Sequence, residues 1–377
     1  MRSVLRTLRI PYSAHHATPD GRPVPYAARP EKPEKTRENP REPEKDGAVM
    51  TMNQPSAAAG DFPLGGDLRV NRLGFGAMRL ALGGRIRDPE EGVAVLRRAV
   101  ELGVNHIDTA GFYGFGDLQA HEMIRRGLAP YSEDMVIATK VGPLLEGGVV
   151  PTGQATAGQL RGLVEEDLRR LGRDHLDLVY LRVGGMGRPG GESVSMAALR
   201  AAARDASESA PSLLAPVAAL PAPVSPVADA PLAVAERFAA LAELRDQGLI
   251  RHLGVSNVDA AQLAEAQAVA PVAAVQNHFH VGHRDDAAVL ARCEEAGIAY
   301  VPFFPLGGGR EPIDGSGVAN VAARHGATPA QVALAWLLAA SPVVLAIPGS
   351  SSPDHVAENV AAAGIRLTAD DLADLAG

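Results

Sequence analysis

Cysteine is almost missing from this chain. Its 377 residues include one, Cys293, so no intramolecular disulfide can form and a reducing compartment such as the cytoplasm is expected. Basic residues are not in excess either. The 36 lysines and arginines face 44 acids, a formal net charge of −8, which argues against the basic surface of a nucleic-acid binder. Unbroken apolar runs of membrane-spanning length are also lacking. The longest candidate, VALAWLLAASPVVLAIPG, is split at Ser341-Pro342 and reads as a buried helix, a turn and a buried strand. What is abundant is core material: 46% of the residues are hydrophobic, enough for one large domain or two ordinary ones.

Two stretches cannot contribute to that core. Residues 1–57 contain RPEKPEKTRENPREPEKDG, rich in proline and mixed charge, and read as a disordered extension. Its opening MRSVLRTLRI has arginines and no acids, so a transit peptide is the alternative, and Met50 or Met52 would serve as a later start. A second stretch, about 186–231, ends in the Ala/Pro-rich APSLLAPVAALPAPVSPVADAP and reads as an insertion.

From about residue 58 onward, short β-branched runs alternate with amphipathic ones. Strands are expected at 71–77, 103–109, 135–140, 176–182, 250–256, 272–277, 298–304 and 343–349. Helical runs between them, such as EEGVAVLRRAVEL and AGQLRGLVEEDLRRL, end at glycines including Gly103, Gly172, Gly248 and Gly297. Strands buried on both faces and separated by helices imply parallel pairing with right-handed crossovers. An α/β fold of the (β/α)8 TIM barrel type follows, because an open doubly wound sheet would want G-x-G-x-x-G after its first strand and GFGAMRLALGG lacks that spacing. Ahead of the first barrel strand, DFPLGGDLRV alternates around Gly65-Gly66 and predicts a β-hairpin plugging the N-terminal mouth.

In such a barrel the C-terminal strand ends form the active site. The stretch NHIDTAGFYG puts Asp108 at the end of the second strand and Tyr113 on the loop after it, while Lys140 ends the third strand and Arg182 the fourth. Strands lie roughly 4.8 Å apart, so these side chains can converge. An ammonium beside a phenol favours release of the phenolic proton to a developing alkoxide, and a carboxylate offsets the cost of burying the ammonium. Singly, each residue fits a structural ion pair or a loop tyrosine equally well. Their joint placement at consecutive strand ends points to proton chemistry, although Lys140 alone would also suit the Schiff base of an aldolase.

The remaining strand ends differ. Ser256, Asn257 and Gln276 offer hydroxyl and amide groups suited to a carboxamide, and Phe303 offers a stacking face. The glycines after Leu306 let backbone N–H groups approach a pyrophosphate. Ser350 to Ser352, ahead of Pro353 and the last helix, form a helix N-terminus suited to phosphate, or simply a cap. Half of the rim therefore suits a nicotinamide dinucleotide and the other half a proton-coupled carbonyl, so the expected partner is a small carbonyl compound rather than nucleic acid or membrane. His278, His280 and His283 have spacing that zinc could use, but no cysteine is near. They are expected to line the pocket mouth or to be solvated, and no metal is expected.

The motifs GVNHIDTAGFYG, IATK, GVSN, VQN and IPGSSSPDHVAEN resemble those of the aldo-keto reductases in sequence and order, over about Phe62 to Leu375 without the insertion. The resemblance implies a single barrel that reduces an aldehyde or ketone with NADPH, NADH being the second option. Tyr113 would be the proton donor, tuned by Lys140 and Asp108, with Arg182 completing the catalytic set. Ser256, Asn257 and Gln276 would hold the nicotinamide carboxamide, and Phe303 would stack on the ring. The implied cofactor contacts also include Gly76, Leu306, Gly307, Gly308, Gly349, Ser350, Ser351, His355, Glu358 and Asn359. Three positions depart from the family pattern. Arg182 stands where a histidine commonly orients the carbonyl, Gly349 where many members have lysine, and His355 where arginine is common. With NRLGFGAMRL and IAYVPFFPLGG, these departures resemble the pyridoxal reductase (pyridoxine 4-dehydrogenase) branch. A redox-sensing protein that binds the cofactor without turnover would share much of this rim, but the intact Asp108, Tyr113 and Lys140 set favours an enzyme.

Overall fold

The computed structural model describes residues 54–146, 150–184, 233–309, 311, 313 and 315–376. Residues 1–53 and the Ala/Pro-rich stretch 186–231 lie outside them. A 3-10 turn, Pro55–Ala59, comes first, and its buried Ser56 donates to Leu73 O at 2.7 Å. The first residues of this turn belong to the segment 1–57 read as an extension. The hairpin follows as β1 (Asp61–Leu64) and β2 (Leu68–Asn71), turning at Gly65 and Gly66, whose φ angles are +63° and +93°. Phe62, Leu64, Leu68 and Val70 are buried, and Asp67 at the turn pairs with Arg251 and His252. Those two residues open a barrel strand, so the hairpin covers the N-terminal mouth.

The barrel strands are β3 (Phe75–Gly76), β4 (His106–Asp108), β7 (Val136–Val141), β10 (Leu176–Arg182), β11 (Ile250–Ser256), β12 (Ala274–Gln276) and β13 (Ala299–Tyr300). Two short hairpins on the rim account for the intervening numbers: β5 (Gly114–Phe115) with β6 (Leu118–Gln119), and β8 (Pro143–Glu146) with β9 (Val150–Gln154). The seven barrel strands pair in parallel, and the eighth segment closes the ring through Tyr300–Val344 and Leu73–Ala346 bridges. All seven residues of β10, LDLVYLR, are buried, as a strand between a packed barrel interior and a helix layer requires. The last two strands are shorter than the sequence predicts. Pro302 cannot donate to a ladder, and Phe304 turns the chain with φ +53°.

Outer helices form where the caps predict them. Asp88 caps Pro89–Glu101 by accepting from Glu90 N, and Thr156 forms a capping box with Gln159 at Ala157–Leu171. The latter helix ends at Gly172, φ +67°. The sequence reading takes the helix at Pro353–Ala361 as the last one, but Ala369–Asp374 follows it, capped by Thr368. Among the described residues no helix is long and apolar enough to cross a membrane.

Candidate active site

Strand register assembles the rim. Gly76 is the ladder partner of Asp108, Arg182 of Ser256, and Ser256 of Gln276, all at C-terminal ends. Lys140 lies opposite Tyr180 on β10, two residues before Arg182. Side chains that share this level and point inward must meet inside the barrel.

They do so as a chain of charged hydrogen bonds. Lys140 Nζ donates to Asp108 Oδ1 at 2.6 Å and to Thr109 O at 2.8 Å, and the pair is buried, 1% and 3% exposed. Gln276 Nε2 donates to the second carboxylate oxygen, Asp108 Oδ2, at 2.7 Å. The ammonium lies 4.8 Å from the centre of the Tyr113 ring, and that ring packs edge-on against Phe112. Arg182 is also buried. Its Nη1 donates to Ser256 Oγ at 2.9 Å and its Cζ lies 5.1 Å from the Phe303 ring centre. Burial pulls its guanidinium below its ordinary value, while Tyr113 and Asp108 pull it back up. Asp177, the acid that would be an ordinary ion-pair partner for Arg182, is instead held by Arg173 at 2.8 Å.

A cavity of about 370 Å³ opens onto this cluster. Asp108, Tyr113, Arg182, Gln276 and Phe303 line its floor and one side, and Gly76, Leu306, Gly308, Gly349, Ser350, Ser351 and His355 continue the wall. Lys140 sits behind Asp108 rather than in the lining. Ser256, Asn257 and Gly307 are also set back: Ser256 accepts from Arg182, and Asn257 Nδ2 donates to Val183 O at 2.7 Å. Glu358 and Asn359 do not reach the cavity. The Glu358 carboxylate accepts from Thr328 on the neighbouring helix at 2.7 Å, and Asn359 is buried on the helix Pro353–Ala361. The serine cluster organises itself, with Ser352 N donating to Ser350 Oγ at 3.0 Å.

None of the three histidines is in the cavity lining, and His280 is buried while His278 and His283 are only partly exposed. His280 is fully buried, and its Nε2 lies 2.7 Å from Glu311 Oε2; the Glu311 oxygen is also 3.8 Å from His278 Nε2 and 3.8 Å from His283 Nδ1. Gly282 N–H donates to His280 Nδ1 at 3.1 Å. That bond leaves the ring proton on Nε2, where it donates to Glu311, and a metal ion would have to displace it. His278 stacks on Phe303 at 5.4 Å between ring centres, so the cluster backs the aromatic face of the site.

Sequence reasoning missed Phe304, Arg79 and Arg85, which all line the cavity. The arginines follow the first barrel strand, in GAMRLALGGRIR, at the same rim where the other candidates were found.

Known proteins resemble this chain in sequence and fold. The sequence profile of the Aldo/keto reductase family matches residues 72–311 and 316–377. Pyridoxine 4-dehydrogenase of Escherichia coli K12 is 41% identical over 315 residues, covering 83% of this chain and 96% of the relative. An uncharacterised oxidoreductase of Schizosaccharomyces pombe is 34% identical over 320 residues, 82% of this chain and 87% of its own. Among solved structures, an aldo/keto reductase from Klebsiella pneumoniae in complex with NADP and acetate superposes with a TM-score of 0.61 at 25% identity, over 84% of this chain and 93% of that one. The chain belongs to the aldo/keto reductase family.

Proposed function

We propose that this oxidoreductase uses NADPH to reduce pyridoxal to pyridoxine, with Tyr113 donating the proton and Arg182 orienting the substrate. The observation that carries the reading is the buried Lys140–Asp108 pair set against the Tyr113 ring, with Tyr113 and Arg182 bordering one cavity.

The residues fit the cofactor. Gly76 and Gly349 bring two backbones together so closely that a Cβ on either would meet a carbonyl oxygen of the other wall, at 2.7 Å from Ile347 O and 2.6 Å from Gly76 O. Among the described residues, the buried Oε1 of Gln276, a residue of the cavity wall, makes no hydrogen bond, leaving an acceptor for a carboxamide N–H2 group. Phe303, backed by His278, offers the ring face. Bound there, reduced nicotinamide supplies a hydride to the carbonyl carbon.

The protein's own part is the proton and the orientation. As negative charge grows on the carbonyl oxygen, Tyr113 passes its phenolic proton to it, and Lys140 stabilises the phenolate left behind. Asp108 holds Lys140 in place and is itself held by Gln276, so neither charge moves during the step. Arg182 presents a planar, always charged fork, suited to a substrate with an anionic group next to its carbonyl. Pyridoxal has such a group, a ring phenolate ortho to the aldehyde. The pyridoxine 4-dehydrogenase relative supports this choice. A cytoplasmic setting agrees with the single, buried Cys293.

The test is NADPH oxidation by the purified full chain with a panel of aldehydes that includes pyridoxal and benzaldehyde. Turnover with pyridoxal at the highest kcat/KM is expected. Cofactor binding without oxidation of NADPH by any aldehyde would favour a sensing protein instead.

A further inference from the structure

The cavity's charge is opposite to that of the chain. Of its lining side chains, Arg79, Arg85 and Arg182 are cationic and Asp108 is the acid, already neutralised by Lys140, whereas the whole sequence carries −8. Arg182 lies at the Tyr113 end. The other two arginines face the loop Gly349-Ser350-Ser351, which brings no lysine or arginine of its own. A positive recess in an acidic protein concentrates anions.

We propose that Arg79 and Arg85, from the segment after the first barrel strand, hold the phosphates of the dinucleotide: Arg79 the diphosphate and Arg85 the 2′-phosphate. This rests on the NADPH reading above.

Arg79 spans the gap between the two phosphate-type loops. Its Nη2 donates to Gly308 O at 2.7 Å and its Nη1 to Gly83 O. A Cβ on Gly309 would stand 3.0 Å from Nη2, and one on Gly349 would stand 3.4 Å from Cγ. The stem of Arg79 thus passes Gly349 and its guanidinium lies at the glycine turn, whose backbone N–H groups suit a diphosphate. Arg85 is placed differently. Its backbone N–H donates to Ser351 Oγ at 3.2 Å, which fixes the residue beside the serine loop, and its side chain is exposed at the same end as His355. Between the two arginines, Gly84 packs against the Arg79 backbone so closely that a Cβ there would lie 1.8 Å from Arg79 O. Arginine's fork can bind a terminal phosphate through two parallel N–H···O bonds. An exposed charge so close to Ser351 discriminates between cofactors with and without that phosphate.

Titration of the purified protein with NADPH and with NADH, following nicotinamide fluorescence, separates the two roles. Arg85→Ala is expected to weaken NADPH about tenfold, about 1.4 kcal/mol, and to leave NADH within about twofold. Arg79→Ala is expected to weaken both cofactors in parallel, because the diphosphate is common to them. Arg85→Glu, at an exposed position that tolerates charge, should enlarge the NADPH loss, and titration with 2′-AMP should show the same order. An unchanged NADPH-to-NADH ratio in both Arg85 variants would overturn the 2′-phosphate assignment. An Arg79→Ala protein that folds and binds both cofactors normally would overturn the diphosphate assignment. If the unaltered protein binds neither cofactor, the NADPH reading itself fails and takes this one with it.

Discussion

Lys140 and Arg182 are both buried cations at strand ends, yet their neighbours assign them different work. Lys140 spends two of its three N–H donors on Asp108 and Thr109 O and lies beside the Tyr113 ring. Arg182 spends Nη1 on Ser256 and still borders the cavity. Tyr113→Phe removes one hydroxyl, so pyridoxal reduction should fall by about 10² to 10⁴-fold while NADPH affinity stays nearly the same; stopped assays and a binding titration on the same protein check this. Most of the turnover surviving would mean that another acid donates. Arg182→Lys keeps the charge but loses the fork, so KM should rise strongly for pyridoxal and little for benzaldehyde. Equal losses for both would make Arg182 a support of the site and remove the physical reason for choosing pyridoxal. The placement of Asp108, Lys140 and Arg182 was legible in the sequence because a polar residue at the end of a buried strand has few places to go in a barrel, and that of Tyr113 because it follows Asp108 by five residues on the loop leaving that strand. Glu358 and Asn359 were not, because helix rotation decides which neighbour a helical side chain meets, and Glu358 meets Thr328. Arg79 and Arg85 were overlooked on a segment whose short helix, Met78–Ala81, has no periodic signal of its own.

At the scale of elements, the loop carrying Tyr113 is held from behind by a helix. Gly111 packs against Ala157–Leu171 so tightly that a Cβ there would lie 2.3 Å from Asp167 Oδ1. Asp167 cannot retreat cheaply, since it accepts from Thr139 Oγ1 at 2.7 Å and lies 3.4 Å from His121 Nδ1 inside the core. Gly111→Ala should therefore displace the loop, lower kcat for pyridoxal severalfold, and cost stability of about 1 to 3 kcal/mol, the usual range for overpacking. Thermal melts and steady-state kinetics test it; an unchanged Tm together with an unchanged kcat would show that the loop is not braced there. Strand and helix placement was readable from period and caps, as at Ile250–Ser256, predicted to the residue. The rim hairpins Gly114–Gln119 and Pro143–Gln154 were not, for each is built from two to five residues per strand, and their sequences alternate too briefly to stand out.

The whole molecule hides ionisable groups in its core, and that gives it a pH dependence. His106 lies two residues before Asp108 on the same strand, fully buried, with no hydrogen bond to either ring nitrogen among the described residues. Burial pushes its imidazole down to about 4; Asp108 opposes the effect and Lys140 adds to it. His121 is pushed down to about 3, first by burial and then by Arg170 and Lys140, while burial raises Asp167 to about 7. The signs differ. A histidine depressed in the folded state binds fewer protons than in the unfolded chain, so its contribution is complete above about pH 6.5 and is lost as pH falls toward its folded value. A raised carboxyl does the reverse: it favours the folded state progressively as pH falls from about 7 to about 4. Over that window Asp167 and His121 largely offset each other, which leaves His106 as the other strongly depressed histidine. Acidification from pH 7 to pH 4 should therefore cost on the order of 3 kcal/mol through His106. Urea denaturation across this range should show that fall. In His106→Gln, whatever its absolute stability, the slope should flatten by a similar amount, because glutamine does not titrate. A variant with the original slope would mean that His106 already takes up its proton in the folded barrel, and the acid sensitivity would come from other groups, such as the carboxylates Asp67, Glu166 and Glu311 that their basic partners hold low.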